Sequence, residues 1–282
     1  MLKTRVLTAL VLLAGFLGAV FFFPFAAWVV LACLVMAIGA WEWGGLIQLD
    51  RPSRGGYAAG SFALAFAFSL TFFDNHTGLV IKALPLAALL AVAAVYWCVI
   101  APAWLQAKWK FPGGITGMLI GWLVLLPGSL ALVQLHAISP WLLLGAMATV
   151  WLADIAAYFC GRAFGRHKLA PGISPGKTWE GALGGLVAVW IYGFFMAAKF
   201  GVLTDSPARW LVLAVALCAL TGVSIVGDLF ESLAKRQAGV KDSGTLLPGH
   251  GGVLDRVDSL TATLPLIALA VLFFEGRIAW PW

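Results

Sequence analysis

Residues 6–48 read VLTALVLLAGFLGAVFFFPFAAWVVLACLVMAIGAWEWGGLIQ, and Glu42 is the one charged side chain among them. An apolar run of about 18 residues or more can cross the hydrocarbon layer of a bilayer. Two such runs stand here, parted only by Phe23-Pro24. A residue before proline is turned away from the helical region, so the break predicts two membrane helices in a tight hairpin. Lys3 and Arg5 ahead of the first run give it the look of a secretory signal. The run is longer than the usual signal core of roughly 7–15 residues, and no A-x-A-like cleavage site precedes the second run. It is read as a first span that is retained.

The rest of the chain continues the pattern. Its 282 residues are 62% hydrophobic and 11% charged, whereas soluble domains carry about 25% charge. A polytopic membrane protein is the class that fits. Nine apolar runs can be drawn, at about 6–23, 25–48, 56–73, 79–100, 114–135, 139–161, 180–200, 209–230 and 259–274, the last short for a span. The expected fold is an all-α, polytopic integral membrane helical bundle of nine spans, with 1–282 as one domain. Its N-terminal spans cover about 1–110, and the chemistry falls in the spans and loops of about 111–282. With the N-terminus inside, only Lys82, Lys199, Arg209 and Arg277 of the 18 Lys and Arg face outward. That asymmetry obeys the positive-inside rule. Most acids fall on the same inner side, which the rule does not require, so a functional cause is expected. The chain shows no internal repeat of the transporter kind. Cys33, Cys98, Cys160 and Cys218 are scattered and predict neither disulfide nor zinc site. The 14 Trp are expected mostly as anchors at the membrane interfaces.

Charge is scarce, yet residues 232–259, SLAKRQAGVKDSGTLLPGHGGVLDRVDS, gather Lys235, Arg236, Lys241, Asp242, His250, Asp255, Arg256 and Asp258. Asp228, Glu231, Ser232 and Lys235 are spaced to share one face of a helix leaving the membrane. Asp255 and Asp258 open the last span. Two helix ends therefore each present a pair of acids. The link LPGHGG between them allows close backbone approach to a ligand. Carboxylates converging from two helices suit Mg²⁺, which commonly takes one or two carboxylates plus substrate phosphates. The interspersed Lys and Arg suit phosphate oxygens. Together these parts describe phosphoryl or nucleotidyl transfer by positioning and electrostatics, without a protein nucleophile. His250 by itself reads more readily as a structural hydrogen-bonder.

Two more constellations stand apart. Asp154 sits inside an apolar run, where a carboxylate needs a partner or a water-filled cavity. Either it forms a structural ion pair with Arg162 or Arg166, or it belongs to a site. In GISPGKTWEGALGG, residues 172–185, Ser174, Lys177 and Thr178 precede a helix whose first turn holds Glu180. Such a helix start can bind phosphate or simply be capped; the spacing is not that of a Walker A loop.

The stretch from Ser232 to Asp258 resembles the signature of the phosphatidate cytidylyltransferases, or CDP-diacylglycerol synthases. Ser232, Lys235, Arg236, Lys241, Asp242, Gly244, Pro248, His250, Gly251, Gly252, Asp255, Arg256 and Asp258 match it position by position. The likeness extends to the DIAAYFCGRAFGRHKLAP and SPGKTWEG segments and to the N-terminal MLKTR and AWEWG, and it is greatest to the bacterial inner-membrane enzymes. It implies transfer of the cytidylyl group of CTP to phosphatidate, giving CDP-diacylglycerol and pyrophosphate for phospholipid synthesis. It implies Mg²⁺ on Asp228 and Asp255, with room for a second, monovalent cation. Lys235, Arg236, Lys241, Asp242, His250, Arg256 and Asp258 are the implied catalytic set. Asp154, Ser174, Lys177, Thr178, Ser232, Gly251 and Gly252 are the implied substrate-binding set. Implied partners are the bilayer and a second copy of the chain, with no nucleic acid; the N-terminus and site loops would be cytoplasmic. A CTP-dependent lipid kinase is the competing enzyme. A transporter would place acids near the midplane of several spans, and the DGxxAR motif of the CDP-alcohol phosphatidyltransferases is absent.

Overall fold

The computed structural model describes residues 2–74, 77–199 and 206–274. Arg277, and the side chains of Lys3 and Arg5, lie outside the described residues. The nine expected runs appear as helices: α1 (Leu2–Phe22), α2 (Phe25–Leu46), α3 (Arg51–Phe72), a rod made of α4 (Ala83–Val95), a π turn (Tyr96–Ile100) and α5 (Ala101–Ala107), then α6 (Gly114–Ile138), α7 (Pro140–Phe164), α8 (Trp179–Lys199), α9 (Pro207–Gln237) and α10 (Leu254–Phe274). Eight of these are long and apolar enough among the described residues to cross a membrane, and α1 adds the apolar helix Leu10–Phe22. The chain is thus a polytopic helical membrane protein. Pro24 parts α1 from α2: it has no N–H to continue α1, and its extended ψ of 156° makes it the N-cap of α2. Ser139 and Pro140 part α6 from α7, with the Ser139 hydroxyl accepting from the Trp141 N–H.

Where helices are apolar all round, packing depends on close approach rather than on an apolar stripe. α7 and α8 meet through glycines. A Cβ on Gly185 would stand 2.9 Å from the Ala153 carbonyl oxygen, and one on Gly181 would stand 2.7 Å from that of Ala157. α10 runs through the middle of the bundle, against α9, α6 and α4, with Leu264, Ala268 and Leu272 fully buried. Trp28, Trp43 and Trp97 depart from the interfacial expectation and lie in the core. Two of them satisfy their indole N–H groups inside the protein, Trp28 on the Leu132 carbonyl and Trp43 on that of Gly117.

Two boundaries differ from the sequence reading in ways that matter. α9 is 31 residues long and carries Asp228, Glu231, Ser232 and Lys235 as one unbroken face. α10 begins at Leu254, about one turn before the apolar run. A hydropathy window stops at Asp258, but the helix continues because carboxylates satisfy its first N–H groups. Between α7 and α8 the chain also forms a two-stranded antiparallel hairpin, β1 (Lys168–Ala170) with β2 (Ser174–Thr178).

One end of the bundle collects the connections. Gln237 at the end of α9 donates to the Trp109 carbonyl and accepts from the Phe111 N–H, both at 2.9 Å. Arg236 reaches the Ile173 carbonyl beside the hairpin at 3.5 Å. Glu42, near the end of α2, meets the start of α10. This same end holds the dense charges of the sequence.

Candidate active site

The site is built on α7, the hairpin, α9 and the first turns of α10. The hairpin folds over α9 so that Lys177 Nζ lies 2.6 Å from Asp228 Oδ2, with both side chains partly open to solvent. The other Asp228 oxygen accepts from Ser232 Oγ at 3.2 Å, one turn along α9. Deeper in, Lys235 Nζ sits between two carboxylates, 2.9 Å from Glu231 Oε2 and 2.6 Å from Asp255 Oδ1. Asp255 Oδ2 accepts from the Ser243 N–H, the Ser243 hydroxyl and the Gly252 N–H, at 2.9, 3.0 and 2.8 Å. One acid thus holds the α9–α10 loop, the helix start and the buried lysine together.

The loop is clasped from a second side. Glu42 is 2% exposed, and its carboxylate accepts from Val253 N at 3.0 Å, Leu254 N at 2.7 Å and Ser243 Oγ at 3.3 Å. It caps α10 from another helix, a favourable place for a negative charge. Gly252 has no room for a side chain here: a Cβ would come within 2.6 Å of the Glu42 carboxylate. Gly251 holds a positive φ of 79° beside Asp255, which glycine adopts without strain. Glu42 was not among the expected site residues. The signal was present, since an acid within an apolar span demands a partner, but the partner lies more than two hundred residues away in sequence.

Two cavities meet at this network. One, of about 530 Å³, is lined by Arg162, Ser174, Lys177, Thr178 and Asp228 and opens between the hairpin, α7 and α9. The other, of about 510 Å³, runs among apolar side chains of α1, α2, α6 and α7, including Leu13, Phe16, Met147 and Trp151. Asp154, Asp255, Arg256 and Asp258 line both. Asp154 pairs with neither Arg162 nor Arg166; its charged neighbours are Asp228 and Lys177, across the cavity it helps to line. Arg256 is aimed by the His250 carbonyl, which accepts from Nε at 3.0 Å and Nη2 at 2.8 Å. His250 itself borders the apolar cavity, and its Nδ1 is buried without a hydrogen bond.

The expected residues are thus sorted by depth. Asp154, Ser174, Lys177, Thr178, Asp228, Asp255, Arg256 and Asp258 line the polar cavity. Lys235, Ser232, Gly251 and Gly252 are not part of that lining. Arg236, Lys241 and Asp242 are exposed on the loop side. Thr178 is 5% exposed, and its hydroxyl accepts from the Gly181 N–H, capping α8. The Glu180 carboxylate does not face the cavity; it accepts from the His167 N–H and lies 2.7 Å from His167 Nδ1, closing the base of the hairpin.

Among the described residues no group of three His, Cys, Asp or Glu side chains is close enough to enclose a metal ion. The donor set nonetheless fits a hard cation that keeps substrate oxygens as further ligands. Asp228 Oδ2 and Asp255 Oδ1 each accept from a single ammonium and retain a lone pair. Glu231 Oε1 is buried without a partner, beside the carboxylate of Asp258.

The fold and site define a polytopic membrane protein in which a polar cavity and an apolar one join at clustered acids. Residues 3–274 match the model of the cytidylyltransferase family, and the chain belongs to that family. It is 40% identical to the phosphatidate cytidylyltransferase of Pseudomonas aeruginosa, across 98% of each chain. To that of Haemophilus influenzae it is 36% identical, across 97% of this chain and 99% of the other. A 131-residue segment is 54% identical to part of the Brucella suis protein of the same name, covering 46% of this chain and 45% of that one.

Proposed function

We infer that this chain transfers the cytidylyl group of CTP to phosphatidate, releasing pyrophosphate and leaving CDP-diacylglycerol in the membrane. The observation that carries the reading is the meeting of the two cavities at Asp154, Asp255, Arg256 and Asp258. A nucleotide needs the first environment and acyl chains need the second, and the reacting phosphates must lie where they join.

CTP occupies the hairpin side, with Lys177 and Ser174 toward its phosphates. Phosphatidate lies in the apolar cavity with its headgroup at Arg256. An oxygen of the lipid phosphate attacks the α-phosphorus in line, the bond to the β-phosphate oxygen breaks, and pyrophosphate leaves. The attacking phosphate is already anionic, so no strong base is required. Asp228 and Asp255, with Asp258 and Asp154 alongside, would hold Mg²⁺, which would supply charge neutralisation for the triphosphate. Lys177 stabilises the charge that develops on the leaving group, while Arg256 holds the attacking phosphate. Lys235 keeps Asp255 in place, and His250 keeps Arg256 in place. The excess of Lys and Arg at the site end supports a cytoplasmic orientation for it, in a bacterial inner membrane. The family likeness supports a homodimer.

Purified protein in detergent, given CTP, phosphatidate and Mg²⁺ with each omitted in turn, should release pyrophosphate only when all three are present. Release of CDP, dependent on an added isoprenoid alcohol, would replace this reading with a lipid kinase.

A further inference from the structure

A third cavity, of about 490 Å³, lies between α2 and α3 and shares no wall residue with the two that meet at the acids. Its long wall is apolar. Leu34, Ile38 and Trp41 follow one another along α2 at helical spacing, opposite Ala58 of α3. Leu34 and Trp41 are 46% and 38% exposed.

At the polar end stands Arg54, in the first turn of α3. Its Nε donates to the Trp41 carbonyl at 3.1 Å, and its guanidinium carbon lies 4.6 Å from the centre of the Trp41 ring. Among the described residues no carboxylate is within 4.0 Å of it, and its two terminal nitrogens make no hydrogen bond. The guanidinium is therefore fixed in place by its stem and ring contact, with a fork of donors left open.

The floor of the groove is Gly244, Thr245 and Leu246 of the α9–α10 loop, together with the side of Glu42. Leu246 is 57% exposed. The residue just before this floor is Ser243, which holds the Asp255 carboxylate. Whatever fills the groove thus bears on the loop that positions the site.

We propose that this groove is a second lipid site, one that takes an anionic phospholipid with its phosphate on Arg54 and an acyl chain along Leu34, Ile38 and Trp41. Both walls are helices long and apolar enough to cross a membrane, which puts the groove within reach of lipid. A guanidinium fork binds a phosphate through two charge-assisted hydrogen bonds, and the apolar wall of Leu34, Ile38 and Trp41 beside it suits a hydrocarbon chain. Occupancy holds Leu246 and the loop against Glu42 and so favours the arrangement in which Ser243 grips Asp255.

The test is native mass spectrometry of the detergent-purified full chain, titrated with phosphatidylglycerol or with phosphatidylcholine. The wild type should retain phosphatidylglycerol in preference to phosphatidylcholine. Arg54→Gln should retain it about tenfold more weakly, the loss of a charge-assisted pair. Ala37→Phe, which fills the slot and leaves Arg54 in place, should weaken retention of phosphatidylglycerol too. Lipid held in the catalytic cavity is common to all three proteins, so the difference reports the groove. In phosphatidylcholine vesicles, pyrophosphate release should rise with added phosphatidylglycerol for the wild type and stay flat for Arg54→Gln. Equal retention by the wild type and Arg54→Gln, or no preference in the wild type, overturns the proposal. Retention does not depend on turnover, so a chain that kept its phosphatidylglycerol yet released no pyrophosphate would refute the reaction and leave the lipid site standing.

Discussion

Two lysine–aspartate pairs sit in this molecule at the same distance, 2.6 Å, in different surroundings. Lys177 and Asp228 retain 24% and 31% of their side-chain exposure; Lys235 and Asp255 retain 11% and 5%. An accessible pair gains little from its own attraction and can be exchanged for a substrate. A buried pair cannot release one partner without stranding the other. In the proposed reaction the first pair is therefore the part of the site that opens to phosphates, and the second is its more deeply buried frame. Identical chemistry sits in different surroundings because water reaches one pair far more freely than the other.

Four substitutions probe the contrast. Asp255→Asn belongs to both the frame and the metal site. It should reduce pyrophosphate release roughly a thousandfold or more, and Mg²⁺ chelation should abolish release in the wild type. Near-normal turnover in the variant would remove Asp255 from the mechanism. Lys235→Met leaves Glu231 and Asp255 buried without their cation. It should lower stability by about 3–5 kcal/mol, seen as a reduced melting temperature in detergent. Lys177→Met should leave stability within about 1 kcal/mol of the wild type, with little change in melting temperature, while turnover drops on the order of a hundredfold. If both lysine variants melted alike, the distinction between frame and open pair would fail. Glu42→Gln weakens the clasp on Val253, Leu254 and Ser243. A loss of about 1–3 kcal/mol is expected, with faster hydrogen exchange at the first turn of α10. Unchanged exchange there would show that the cap is dispensable.

Most of the architecture was legible in the chain. Among the described residues the nine apolar runs became nine helical rods, because a segment that hides its backbone hydrogen bonds from lipid has few choices besides a helix. The four spaced residues from Asp228 to Lys235 lie on one face of α9, since that spacing depends only on local geometry. What escaped was long-range. Lys177 read as a phosphate binder beside a helix start, but its partner in the structure is Asp228, brought over by a hairpin that the GISPGKT segment did not announce. Asp154 offered two arginines, about two and three turns further along the chain, and pairs with neither.

The sequence by itself determined that this is a membrane protein, where its helices run, and which charged residues cluster at one end of them. Hydrophobic length, helical spacing and the cost of a charge in lipid settle those matters locally. Only the tertiary structure decided which of those charges face the open cavity and which are sealed behind it, and that Glu42 of α2 closes the network. Burial and pairing depend on which helices meet, and helices that meet here are separated by as many as two hundred residues of chain.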